Sequence, residues 1–202
     1  MSRLTLLAAT GFAALALAAC GDKSGDLVAS TSEPTTIDSA TPSAEASARK
    51  GQDFINAAGQ AGLVEIRTSE MALEKAKNAD LKTFAQTMID GHKAAGEKLK
   101  AAASASGLMA PPETLDDFHM RRINDLVETD GDEDFDADYA ALQVDAHNDA
   151  IKTFEDYSKD TDAVSQLKMF ADETLPTLVA HKAEAERVRD LVTKAGSAKA
   201  PS

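Results

Sequence analysis

A chain of 202 residues with 34 acidic and 21 basic side chains carries a formal charge of −13. A field of that sign repels nucleic acid and anionic lipid headgroups, so neither is expected as a direct partner. Tryptophan is absent and only 4% of residues are aromatic, which leaves no stacking platform for bases or sugars. The single cysteine excludes an intramolecular disulfide, so the fold must rest on packing alone.

In chain order, the first feature is a leader. Arg3 is followed by an apolar run from Leu4 to Ala18, too short to span a bilayer comfortably and without polar periodicity. The run ends at Leu17-Ala18-Ala19-Cys20 and gives way at once to Gly21, Asp22 and Lys23. The tetrapeptide resembles the lipobox of bacterial lipoproteins, in which the cysteine thiol is acylated and becomes the new N-terminus. Residues 1–19 are therefore expected to be a signal peptide and Cys20 a lipid anchor. The residue after the cysteine is Gly21, not the aspartate that retains lipoproteins at the inner membrane, so the resemblance implies an outer-membrane anchor facing the periplasm.

Residues 20–49 hold Ser, Thr, Pro, Ala and acidic side chains with almost nothing apolar to bury, the composition of a disordered tether. Residues 50–195 have the size of one domain, and residues 196–202 read as a second disordered tail. Within the domain, four stretches repeat apolar residues at helical spacing. They run over about 52–77, 80–106, 136–159 and 162–194, with short joints at Asn78-Ala79-Asp80 and Asp160-Thr161. The middle connection is long. It contains a Pro111-Pro112 break, a short amphipathic helix over about 114–127 with Leu115, Phe118, Ile123 and Leu126 on one face, and an acidic loop. Two tight hairpins joined by a long crossover carrying a short helix give an all-α, ferritin-like four-helix bundle. Pro176 should kink the fourth long helix.

The apolar faces are interrupted by ionisable groups. At 100° per residue, Glu65, His92 and His147 lie at the centres of the first three stripes, and His181 at the edge of the fourth. Glu65 and His92 are nearly equidistant from the first joint, and His147 is about 20 Å from the second, at 1.5 Å per residue. His181 is roughly 9 Å further along, so a common site needs the Pro176 kink. Glu173 is at the right level but points away from the stripe. One carboxylate and three imidazoles inside a bundle suit a single Zn, Cu or Fe ion, and Met88 beside His92 leaves copper open. A di-iron site would need Glu-x-x-His on two helices, and Ile89 and Leu178 occupy those positions. The alternative is a hydrogen-bonded polar layer that sets helix register, with Thr68, Tyr139 and Gln143 as partners.

Asp130, Asp132, Asp134, Asp136 and Asp138 alternate into the third long helix, but no register supplies the glycine and glutamate of a calcium loop. Acidic residues complementing a helix N-terminus are the better reading. His119, beside Phe118, reads as a surface or partly buried histidine.

Several of these residues together resemble the domain-of-unknown-function 4142 family of bacterial exported and outer-membrane proteins, ferritin-like in fold. They are Glu65 and Ala72; Phe84-Ala85, Met88-Ile89 and His92; Phe135-Asp136, Tyr139, Gln143 and His147; and Phe170-Ala171, Leu175-Pro176 and His181. The family pattern places an aspartate directly before the second-helix histidine, where this chain has Gly91, with Asp90 one place earlier. The resemblance brings no established reaction. The sequence therefore favours a non-catalytic binding or envelope-stress module, anchored to a membrane through Cys20. Its rivals are a metal-binding or metal-dependent redox protein using Glu65, His92, His147 and His181, and a scaffold that forms a homo-oligomer through helix faces.

Overall fold

The computed structural model describes residues 42–128 and 132–199, all of whose regular structure is helical: α1 (Pro42–Lys75), α2 (Ala79–Ala105), α3 (Asp117–Val127), α4 (Asp132–Lys159) and α5 (Ser165–Lys199). The leader, Cys20 and most of the expected tether lie outside the described residues. No described helix is long and apolar enough to cross a membrane.

Two boundaries correct the sequence reading. Helix α1 begins at Pro42, so residues 42–49 are helical and not part of the tether. Proline is well placed at a first helical position, and the Ser, Ala, Glu and Arg that follow form helix without burying a face. At the other end, α5 continues through Gly196 to Lys199, into the expected tail.

Local chemistry sets the hairpin. Asn78 caps α2, its side chain accepting from the backbone N–H of Asp80 at 2.8 Å and of Leu81 at 3.3 Å. At the far end, Gly107 adopts φ +67°, a left-handed value that favours glycine. Its N–H bonds to the Ser104 carbonyl while that of Leu108 reaches Ala103, so the last carbonyls of α2 are satisfied and the chain turns sharply.

The contacts fix the wiring. Lys50 on α1 meets Asp160 at the α4–α5 joint at 2.8 Å. The crossover then climbs beside α1: Gln60 bonds to Thr114 and Asp116 ahead of α3, whose N-cap is Asp116. At the top, the buried Asp136 carboxylate of α4 accepts from the backbone N–H of Lys77 and Asn78, at 3.2 and 3.0 Å. Helices α1 and α5 therefore run one way and α2 and α4 the other. Each long helix packs on two neighbours, in the cyclic order α1, α2, α5, α4. This is the expected pair of hairpins with a crossover helix. Within α3, Ile123 and Leu126 are buried, but Phe118 is 58% exposed and does not join the face expected of it.

The core has two apolar halves. One end packs Leu81, Phe84, Met88, Tyr139, Val144 and Val188. The other packs Phe54, Leu99, Phe154, Tyr157, Leu167 and Phe170, with Phe54 stacked on Tyr157 at 4.1 Å between ring centroids. On every long helix the candidate site residue falls in sequence between the two sets, so the polar groups form a layer between two apolar blocks.

Candidate functional site

The bundle brings all four candidates together, one from each long helix. Glu65 is 1% exposed and His147 0%; His92 is buried and His181 half-buried. The three imidazoles form a nearly equilateral triangle, with ring centroids 5.6 Å apart for His92–His147, 5.5 Å for His92–His181 and 5.6 Å for His147–His181. One nitrogen of each ring lies within 4.8 Å of one nitrogen of each of the others.

Glu65 stands behind two of these rings. Its Oε2 lies 3.1 Å from Nδ1 of His92 and its Oε1 3.2 Å from Nδ1 of His147. Nδ1 of His147 also donates to the Gln143 carbonyl at 2.8 Å, one turn earlier on α4. That bond places the proton on Nδ1 and leaves the lone pair on Nε2. The Gln143 side-chain amide donates to Thr68 Oγ1 at 3.0 Å, and the Thr68 hydroxyl donates to the Val64 carbonyl at 2.9 Å. Of the three expected supporting residues, Thr68 and Gln143 thus brace the layer. Tyr139 is fully buried but pairs with Ser69, at 2.8 Å between their oxygens, one level away. Met88 packs in the upper apolar block. His119 pairs with Asp116 at 2.7 Å on the surface of α3, and Glu173 is exposed.

Sequence reading missed two contributors. Ser69 satisfies Tyr139, and no periodicity distinguishes it from any other small residue. Gly91 is the seat of His181: a Cβ built there would come 2.6 Å from Cε1 and 3.1 Å from Nε2 of that ring. The only signal was the departure from the family pattern at this position.

Burial dominates the electrostatics. Desolvation pushes the Glu65 carboxyl up to about 8, against the opposing positive field of Arg122. It pushes His92 down to about 3, with the neighbouring His147 and His181 adding to the shift. His147 falls to about 4 for the same first reason, its bond to Gln143 working the other way, and His181 is lowered by burial. At neutral pH the three imidazoles are neutral, the form in which a ring nitrogen ligates a metal. Five buried side-chain atoms in the described residues lack a hydrogen-bond partner, and all belong to this layer: Glu65 Oε1, His92 Nε2, Gln143 Oε1, His147 Nε2 and His181 Nδ1. A layer built only to set register would satisfy its members, since each orphaned group costs about 1–3 kcal/mol. Unpaired nitrogens on three converging rings fit an ion instead.

The model of one protein family, described as "Domain of unknown function (DUF4142)", matches residues 37–188, a stretch that contains the whole layer. No curated protein and no solved structure matches the chain.

Proposed function

The chain belongs to the DUF4142 family, a domain of unknown function, and from that premise we propose that its bundle is a binding module for one transition-metal ion. His92, His147 and His181 are the ligands. The observation that carries this reading is the convergence of three ring nitrogens within 4.8 Å of one another, in rings two of which are anchored through Nδ1. Anchoring the far nitrogen of a ligating imidazole to a carboxylate or carbonyl is how proteins orient such ligands and raise their basicity. Glu65 takes that supporting role and is not itself a ligand. Nitrogen donors of intermediate softness suit Zn²⁺ or Cu²⁺ better than Mg²⁺ or Ca²⁺. At a metal–nitrogen distance of about 2.0–2.1 Å, tetrahedral ligand atoms stand roughly 3.4 Å apart, so loading draws the three rings inward.

The leader sequence supports display of this module on a membrane through acylated Cys20, with the bundle facing the periplasm. Replacement of Cys20 by serine is expected to abolish acylation and leader cleavage; normal processing of that variant would refute the anchor.

Elemental analysis and calorimetric titration of the purified full chain with Zn²⁺ and Cu²⁺ test the metal reading. One ion per chain is expected, with loss of stoichiometric binding in His92→Ala, His147→Ala and His181→Ala alike. The hydrogen-bonded chain from His147 through Gln143 and Thr68 to Val64 favours one rival, a layer that sets helix register. That rival requires sub-stoichiometric metal in the wild type and histidine variants that lose stability equally with and without added metal.

A further inference from the structure

Three glycines line one side of the layer, and they are not alike. At Gly59 a Cβ would meet Pro112 Cδ at 2.8 Å and Pro111 Cβ at 2.9 Å, so this glycine lets the crossover lie against α1. At Gly62 on α1 and Gly96 on α2, a Cβ would meet nothing within 4 Å. Glycine in a helix interior costs about 1 kcal/mol relative to alanine, and no close approach offsets that cost at these two positions. What their missing side chains leave is space. A cavity of about 110 Å³ runs between α1 and α2 under the two prolines, from Gly62 and the exposed Gly96 inward to Glu65 and His92. A second observation ties it to the metal centre. His92, more than nine-tenths buried, lines the inner end, and its Nε2 has no partner.

We propose that this cavity binds a small uncharged molecule of two to four non-hydrogen atoms, held against the His92 side of the centre, where it becomes an added ligand of the ion. This rests on the metal reading above. Apart from Glu65, His92 and Thr174, whose hydroxyl is occupied by the Phe170 carbonyl, the walls are alanine, glycine, proline and other apolar side chains. Such a lining disfavours charged molecules, which would have to shed their hydration. The volume sets the size: an apolar cavity of about 150 Å³ takes benzene or xenon, so 110 Å³ suits something smaller than benzene. Three imidazole ligands leave a tetrahedral ion one open position, as in zinc sites that hold an exogenous ligand.

The test uses the full chain and two variants, Gly96→Leu and Gly62→Leu, which grow a side chain into the cavity from opposite walls and should strengthen their helices. Xenon probes the pocket in the metal-free protein through the ¹²⁹Xe chemical shift. Nitric oxide, added without oxygen to the Co²⁺-loaded protein, probes the added ligand through the cobalt absorption and electron paramagnetic resonance spectra. We expect wild type to bind one Co²⁺ and respond to both gases. Both variants should keep the cobalt stoichiometry and lose at least tenfold in xenon and nitric oxide affinity. Wild type and variants responding alike to the gases, or no response in wild type, would overturn the pocket while leaving the metal reading intact. Absence of bound cobalt in wild type would overturn the metal reading and the added-ligand role with it, and xenon would still decide the pocket on its own.

Discussion

The imidazole of His181 packs against Gly91, so close that a methyl group there would stand 2.6 Å from its Cε1. Real Cβ atoms do not approach that closely, and the ring cannot hold its place in the triangle if residue 91 has a side chain. Gly91→Ala is therefore expected to displace His181 and weaken metal binding at least tenfold. It should also fail to give the stabilisation that alanine normally brings to a helix interior. Gly96→Ala is the control: with nothing within 4 Å, it should raise stability by about 0.5–1 kcal/mol and leave metal affinity unchanged. Equal behaviour of the two variants in metal titration and thermal unfolding would refute the role given to Gly91.

Asp136 offers a second prediction, independent of the metal. Its carboxylate is buried and accepts two backbone N–H bonds from the α1–α2 joint, tying the start of α4 to the turn of the other hairpin. Neither calcium nor a helix dipole is needed to explain this aspartate. Asp136→Ala leaves both donors without their acceptor and should cost about 1.5–3 kcal/mol in chemical denaturation. Millimolar calcium should not change the unfolding midpoint of the wild type. A calcium-dependent rise in that midpoint would restore the cation reading of the aspartate run.

How much of this was legible depended on whether the signal was periodic. Glu65, His92, His147 and His181 break apolar stripes at helical spacing, and a stripe carries its own orientation, so their convergence could be read without coordinates. The helical residues 42–49 were missed because a helix end with no large apolar side chains has no stripe. The level of His181 was misjudged because the second joint is longer than its turn signal suggested. Helix α4 ends at Lys159 and α5 starts at Ser165, which reduces the offset between His147 and His181 to four residues, about 6 Å. Side chains tilt toward the start of their own helix, and in these antiparallel helices that tilt brings the two rings together. Ser69, Gly91 and the cavity depend on how closely two helices approach, a quantity that no single helix encodes.

The supporting role of Glu65 makes a graded prediction. A residue that only orients ligands leaves the ion bound when it is changed, and outer-shell changes typically cost 10–100-fold in affinity. Glu65→Gln should therefore keep one ion per chain while weakening binding within that range, whereas His147→Ala should abolish stoichiometric binding. Loss of stoichiometry in Glu65→Gln would make the carboxylate a ligand, as the sequence first suggested.

The same carboxyl should leave a mark on the pH dependence of the metal-free protein. Above about pH 7.5 the imidazoles are neutral whether the chain is folded or not, so there they contribute no slope. Glu65, ordinarily near 4.5 but raised by burial to about 8, keeps its proton in the folded chain and loses it in the unfolded one. The folded state then binds the extra proton, and stability must fall as pH rises from about 7 to 8. Below about pH 6.5 the balance reverses. Unfolded imidazoles take up protons that His92 and His147, lowered to about 3 and 4, refuse in the core, so stability falls with pH. Three imidazoles outweigh one carboxyl while they are protonated in the unfolded chain, which places the optimum at about pH 7. Denaturation of chelator-treated protein across pH 4–9 should show both limbs, with the alkaline one missing in Glu65→Gln. If wild type and Glu65→Gln lose stability in parallel above about pH 7, Glu65 is ionised in the folded core, and the neutral layer described here is wrong.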